Sequence, residues 1–385
     1  MDTNTVEIAI IGGGIGGLTT AIALQQRGIE AHVFEAARAL REAGAGIWMP
    51  SNAMQVFGRL KLATQIEHAG AQLTSIQLQD FQHGPLTTTD LTDVATQFDY
   101  TTTAIHRGRL QQLLADQLNP ERLHLAKRCR RLTQNEDHVA ITFEDETTIT
   151  ARLVIGADGL RSAVRQQLFP TAQTRYSGQS SVRAVVPFRL DAPFARAGVE
   201  VWGRGCRFGF SGISTEETYW YATIDAPANE PFDSQTAKIQ LGQLAENFPA
   251  PVLSLVQTTP HTSLIRADIH DLRPIPSWHM GRVVLMGDAA HATTPNLGQG
   301  GAQAIEDAYV LATAIAEQST YQAAYAHFEK VRRAKAISIV SQSLQLGKLA
   351  HLHNPALRWL RDMAMRLTPS AVGKRQFASL YTLNF

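Results

Sequence analysis

Two cysteines in 385 residues, Cys129 and Cys206, stand far apart and in no Cys-x-x-Cys pairing. A disulfide framework and a dithiol redox centre are thereby excluded as the organising chemistry. Charge of one sign is also missing, since 35 Lys and Arg stand against 34 Asp and Glu for a formal +1. Basic clusters such as Lys127 to Arg131 are short, so the sequence shows no broad electrostatic footprint for nucleic acid or an anionic membrane. No apolar run reaches the roughly 20 residues of a membrane span. The opening MDTNT lacks the basic start of a secretory signal. A soluble, cytoplasmic protein is expected from these absences. No metal site is expected either: His351 and His353 have no further ligand near them in the sequence. What the chain does have is apolar residues, 44% hydrophobic against 18% charged, enough for a large core and two domains.

The stretch Val6 to Glu35, VEIAIIGGGIGGLTTAIALQQRGIEAHVFE, organises the rest. A β-branched apolar run, a glycine cluster, a segment with apolar residues at helical spacing and a second apolar run read as strand, turn, helix, strand. Gly12, Gly14 and Gly17 satisfy Gly-x-Gly-x-x-Gly, with Ile15 opening the helix. The first glycine permits the tight turn, the second lets backbone approach a pyrophosphate, and the third lets helix and strand pack closely. Glu35 follows about 20 residues on, where a carboxylate can accept both hydroxyls of an adenosine ribose. The ligand is a dinucleotide, with FAD and NAD both open at this point.

Further along, Gly44, Ala45 and Gly46 are small enough for something flat to lie against the backbone. The residues 73–97 turn Thr- and Gln-rich and alternate, as strands outside a parallel sheet would. Arg107 begins a helical pattern. Leu153 to Ile155 form a strand ending in the turn Gly156-Ala157-Asp158-Gly159, at the carboxyl edge where α/β sheets bind ligands. From Tyr176 to Ile265 the runs SVRAVVPFRL, GVEVWG, CRFGFSGI and TYWYATID alternate between turns and predict an antiparallel sheet. Alternation puts Arg207, Gly209 and Ser211 on one face of it. The strand Val283 to Met286 then ends at Gly287-Asp288, and the Gly-rich loop Pro295 to Gly301 opens a long helix whose N–H groups can meet an anion or a polarised carbonyl. Leu264 to Leu272 reads as a strand leading back to the first domain, and the end of the chain as helical with a break at His353-Asn354-Pro355.

GGGIGG with Glu35, Gly156-Ala157-Asp158-Gly159, and Gly287-Asp288-Ala289-Ala290-His291 with Pro295 resemble, in order and separation, three fingerprints of a known family. This family is the single-component FAD-dependent aromatic hydroxylases of the para-hydroxybenzoate hydroxylase-like fold, and the resemblance covers essentially the whole chain. It implies an α/β fold with a discontinuous Rossmann-like FAD-binding domain (1–72, 98–175, 266–346), an antiparallel-sheet substrate domain (73–97, 176–265) and a C-terminal helical segment (347–385). Carried over, Gly12, Gly14, Ile15, Gly17 and Glu35 would hold the phosphates and adenosine ribose, and Gly46 and Arg107 would face the FAD. Asp158 and Gly159 would support both FAD and a passing nicotinamide cofactor, while Gly287, Asp288 and Pro295 would hold the ribityl and pyrophosphate region. Gly298, Gln299, Gly300 and Gly301 would lie beside the isoalloxazine, the first three as the flavin and oxygen loop. His291 would be structural rather than a base.

Within the family, TTPNLGQGGAQAIEDA is most similar to the bacterial FAD-dependent urate hydroxylases and the zeaxanthin epoxidase branch. Arg207 and Tyr219 fall where a urate hydroxylase-like enzyme places substrate-binding Arg and Tyr. A single Gly-x-Gly-x-x-Gly leaves the nicotinamide donor without a domain of its own, so NADH or NADPH is expected to bind transiently over non-covalent FAD. The resemblance implies capture of O2 as a C4a-hydroperoxide and transfer of OH to a small electron-rich aromatic or heteroaromatic substrate. The hard chemistry is then the cofactor's. A flavin halogenase is disfavoured by the absence of a WxWxIP segment. A polyene or terpenoid epoxidase and a non-catalytic FAD-binding module stay open as alternatives, and so do monomer and homodimer.

Overall fold

The computed structural model describes residues 5–40 and 45–385; Gly44 lies outside them. The apolar run after residue 5 becomes β1 (Thr5–Ile11), its last four residues buried. It lies parallel between β2 (Ala31–Phe34) and β3 (Thr148–Gly156), and β8 (Val283–Leu285) lies parallel outside β3. The register pairs Ile11 with both Phe34 and Gly156, and Gly156 with Leu285. Strands distant in sequence therefore end together. The turns after β1, β2, β3 and β8 sit side by side at one carboxyl edge, the place where open α/β sheets take ligands. The helix α1 (Ile15–Gln25) covers this sheet and packs on α3 (Gly300–Glu317), where a Cβ on Gly16 would stand 3.1 Å from that of Ala304.

A second sheet of seven strands runs in the order Ile265–Leu272, β4 (Thr174–Pro187), β7 (Glu217–Asp225), β6 (Cys206–Gly212), β5 (Ala197–Trp202), Ser75–Asp80, Gly84–Asp90. All its pairings are antiparallel except that of β5 with Ser75–Asp80. Ile265–Leu272, read from sequence as a strand leading back, is instead an edge of this sheet, paired along β4. Alternation divides the two faces. Val199, Val201, Phe208, Phe210, Trp220 and Ala222 form a buried cluster with the helices Ser234–Ala245 and Val252–Thr258. Arg207, Gly209, Ser211, Tyr219 and Tyr221 take the opposite face and look toward the first sheet.

The short strand Gly46–Met49 bridges the two units. The Trp48 indole donates to the Ser211 hydroxyl at 2.9 Å, while a Cβ on Gly301 would stand 3.3 Å from Ile47. The chain closes in helices α4 (Tyr321–Ala350), α5 (Pro355–Leu367) and Ser370–Tyr381, with the Asn354 side chain capping α5 at the expected break. Among the described residues no helix is long and apolar enough to cross a membrane.

Candidate active site

The edge nearest β1 is shaped by close approach. Gly12 adopts φ +112°, and a Cβ there would come within 2.4 Å of the Ala157 carbonyl oxygen. A Cβ on Gly17 would fall 2.0 Å from the Gly12 carbonyl, so only glycine lets α1 sit this near the strand. Gly14 is different: nothing stands within 4 Å of its Cβ position, and as the N-cap it leaves the first N–H groups of α1 without a side-chain partner. That is an anion site by construction. Glu35 ends β2 beside it, one carboxylate oxygen accepting from the Gly13 N–H at 2.6 Å and the other from the Ala37 N–H at 2.8 Å.

The middle of the edge carries two carboxylates in contrasting roles. Asp158 turns inward, accepting from the Ser162 hydroxyl (2.5 Å) and the Val164 N–H (3.1 Å) at the start of α2 (Ala163–Leu168). Burial raises its pKa against those hydrogen bonds. Its side chain therefore organises the turn, and only the backbone at Gly159 faces open space. Asp288 points into the cleft and accepts no hydrogen bond from any described side chain or backbone N–H. Its side chain is exposed to the cleft, yet the protein around it raises its pKa by desolvation, while His291, Arg107 and Arg165 oppose the shift. Arg107, at the start of the helix Arg107–Ala115, thus lies within electrostatic reach of Asp288. Arg165 was not anticipated from sequence. Its buried guanidinium donates to the carbonyls of Leu160 (2.6 Å) and Ala289 (3.1 Å), tying together the turns after β3 and β8.

Beneath the Gly-rich loop lies a buried ionic cluster. Glu306 and Asp307, on α3, meet Arg332 from α4: its Nε donates to Asp307 at 2.8 Å and its Nη1 to Glu306. Lys335 reaches both Glu306 oxygens at 2.9 and 3.0 Å, and His291 Nε2 lies 2.5 Å from Asp307. The Gly287 N–H donates to the same Asp307 oxygen at 2.9 Å. Burial works against ionising Asp307, yet His291 and Arg332 hold its pKa down to about 2. His291 is thus a structural side chain, its ring tilted at 38° against Trp278 with centroids 4.9 Å apart.

The cluster also claims Gln299. Its side chain, expected in the flavin and oxygen loop, is buried and accepts from Asn52 and Gln303 at 3.0 Å each. Only the backbone of Gly298-Gln299-Gly300 is offered to the cleft. Nothing stands within 4 Å of a Cβ on Gly298, and α3 begins without a side-chain cap.

The second sheet roofs the cleft. Arg207 is 1% exposed; its Nη2 donates to the Asn296 side-chain oxygen in the loop after Pro295, and its Nη1 lies 3.6 Å from Glu200. Glu200 also accepts from the Tyr221 hydroxyl and, at 2.6 Å, from the Trp202 indole. Even so, Arg207 Nε and Nη1 and Arg183 Nε make no hydrogen bond to any described residue. Register separates the two residues expected to act together. Arg207 opposes Thr223 and Tyr219 opposes Ser211, so Tyr221, opposite Gly209, is the phenol closer to the guanidinium. The flat group lying against Gly46 is the Tyr219 ring, 2.4 Å from where a Cβ would be. Burial pushes the Tyr219 phenol up to about 12, with Arg183 opposing. Both cysteines are buried with raised thiol pKa values, Cys129 about 12 and Cys206 about 11, so neither is a ready nucleophile.

These residues fit a flavin dinucleotide. One helix N-terminus without a side-chain cap lies at each end of the cleft, Glu35 stands beside the first, and Asp288 offers an acceptor with no protein donor between them. Comparison with known proteins agrees. A family model described as FAD binding domain matches residues 5–342. Aurachin C monooxygenase/isomerase of Stigmatella aurantiaca is 37% identical over 95% of both chains. The 2-heptyl-3-hydroxy-4(1H)-quinolone synthase of Pseudomonas aeruginosa is 34% identical over 98% of both. The crystal structure of Klebsiella pneumoniae HpxO complexed with FAD and uric acid superposes with a TM-score of 0.88 at 28% identity, covering 97% of this chain and 96% of that one. From the three motifs converging on one sheet edge and the family match along most of its length, the chain belongs to the FAD-binding-domain family of flavin-dependent aromatic monooxygenases.

Proposed function

We propose that this monooxygenase hydroxylates a planar heteroaromatic ring whose carbonyl or phenolate edge is held by Arg207, with NADH or NADPH as reductant. The reaction consumes substrate, O2, NAD(P)H and a proton and yields hydroxylated product, water and NAD(P)+. Bound FAD supplies the electron transfer and oxygen activation. The chain's own residues orient and exclude water. The N-terminus of α1 and Glu35 would anchor the phosphate and adenosine end of bound FAD, Asp288 would accept from its polyol, and the backbone of Gly298 to Gly301 would face its ring system.

The observation that carries the substrate reading is the Arg207 guanidinium. It is buried on the cleft face with Nε and Nη1 making no hydrogen bond to any described residue, although Nη1 lies 3.6 Å from the Glu200 carboxylate, and a planar guanidinium suits an oxygen-bearing ring edge. Burying such donors is costly unless an acceptor meets them. The Tyr219 and Tyr221 rings, 5.9 Å apart, and the Trp48 indole give flat apolar surface beside it. Two relatives bear the names of compounds with this shape, a 3-hydroxy-4(1H)-quinolone and urate.

The test is a panel of 4(1H)-quinolones, urate and aminohydroxybenzoates, scored by stimulated NADH or NADPH oxidation and by a product one oxygen atom heavier. Arg207→Gln should keep its flavin and lose roughly 10- to 150-fold in kcat/KM, the value of one hydrogen bond to a charged donor. Wild-type turnover by that variant would remove Arg207 from the substrate.

A further inference from the structure

Helix α5 has its polarity inside out. The side facing the body carries charge: Arg358 donates to Asp80 at 3.0 Å with its guanidinium 5.2 Å over the Phe81 ring, and Arg361 pairs with Asp362 and lies 4.7 Å over Trp202. The outward side carries Leu357, Trp359, Leu360, Met363 and Leu367, with Trp359 61% and Leu367 72% exposed. These are half of the large apolar side chains exposed among the described residues, gathered on one helix of 13 residues. Leu357, Leu360, Ala364 and Leu367 follow helical spacing, so they form one continuous stripe. Leu349, at the end of α4, is exposed as well, and its carbonyl accepts from Arg361 of α5 at 3.1 Å.

Charge is divided in the same place. Residues 347–385 hold six bases, Lys348, Arg358, Arg361, Arg366, Lys374 and Arg375, against the single acid Asp362. The formal +1 of the whole chain therefore splits into +5 here and −4 over residues 1–346. Arg358 and Arg361 are neutralised by their inward partners, whereas Lys348, Arg366 and Arg375 are exposed. Arg366 donates only to the backbone carbonyls of His83 (2.9 Å) and Pro85 (3.3 Å), so its charge has no acid partner among the described residues.

We propose that α5 is a docking helix for the surface of an anionic phospholipid bilayer. The apolar stripe would enter the boundary between headgroups and acyl chains, with Trp359 at the interface and Lys348, Arg366 and Arg375 over the headgroups. Thirteen residues extend only about 20 Å, so the helix lies on the membrane and does not cross it. A second copy of this chain fits less well, because a two-fold contact through the stripe would bring two +5 segments together. The docked helix is close to the chemistry: Arg361 stacks on Trp202, whose indole donates to Glu200 beside Arg207. The proposal stands independently of the substrate assignment.

The test uses the full-length flavin-loaded protein in co-sedimentation with vesicles of phosphatidylglycerol and phosphatidylcholine, and of phosphatidylcholine alone. Binding should favour the anionic vesicles by at least about 10-fold and weaken with added salt. The double variant Leu360→Glu with Leu367→Glu should lose about 10-fold or more of that binding with FAD content unchanged. Brominated lipid should quench Trp359 fluorescence, a signal absent from Trp359→Phe. Vesicle binding that survives the double variant overturns the role of α5. Absence of binding overturns the proposal outright, as does a concentration-dependent dimer that the double variant dissolves without vesicle binding.

Discussion

Both walls of the cleft bury charged side chains, but under the Gly-rich loop the carboxylates each meet several donors, whereas on the roof sheet, where Arg207 is paired with Glu200, some N–H donors make no hydrogen bond. Glu306 accepts from Arg332, Lys335, Asn52 and Gln303, and Asp307 from Arg332, His291 and the Gly287 N–H. Opposite them, Arg207 keeps two nitrogens and Arg183 one without a described acceptor. A satisfied buried network fixes a geometry, whereas a buried donor with no acceptor is costly unless something else supplies one. The floor therefore fixes geometry, and the roof is where the proposed substrate contact would fall. Asp288 is the informative exception, a floor residue whose carboxylate meets no donor among the described residues, as the proposed polyol contact requires.

The largest effect should come from opening the matched cluster. Arg332→Ala leaves Glu306 and Asp307 buried with only part of their compensation and should cost roughly 3–5 kcal/mol. Denaturant midpoints and the flavin retained through purification measure it. A loss under about 1 kcal/mol would erase the contrast between the walls.

Asp288→Ala should separate binding from stability. We expect FAD affinity to fall about 10- to 150-fold, the loss of one charge-assisted hydrogen bond, while the apoprotein unfolds as wild type does. Full flavin occupancy through dialysis would return Asp288 to the scaffold.

The matched cluster should also show in the acid limb of stability. Asp307 has a folded pKa held down to about 2, below its ordinary 3.8. Its contribution is therefore complete above about pH 4 and lost as pH falls toward about 2. Asp307→Asn should be less stable at neutral pH and should lose less on acidification through that window. Parallel wild-type and variant curves there would contradict the assignment.

The smallest effect is expected on the roof. Tyr219→Phe removes a hydroxyl that donates to no described residue, so thermal stability should stay within about 0.5 kcal/mol. Any change should fall on KM, by less than about 10-fold. A large loss of stability would show that the roof is scaffold as well.

Several of these residues were legible locally. Gly12, Glu35 and Asp288 each follow a strand pattern, Gly14 and Gly17 open the helix after the first, and parallel pairing then brings strand ends to one edge. The face shared by Arg207, Gly209 and Ser211 follows from a period of two. Arg165 and Arg332 carried no such mark, since Ala289 and Glu306, the partners that place them, lie 124 and 26 residues away. Gln299 misled for the opposite reason: in a Gly-rich loop its neighbours face the cleft, and Asn52, 247 residues distant, turns its side chain inward.

By itself, then, the sequence determined the nucleotide edge and the split between a parallel and an antiparallel unit, because backbone conformation and periodicity are set by near neighbours; FAD rather than NAD was implied by the resemblance to a family. Tertiary structure alone decided which buried charges are matched and which phenol stands near Arg207. It also decided that the apolar side of α5 faces outward. Register, burial and charge pairing depend on contacts between residues far apart in the chain, and no local pattern encodes those.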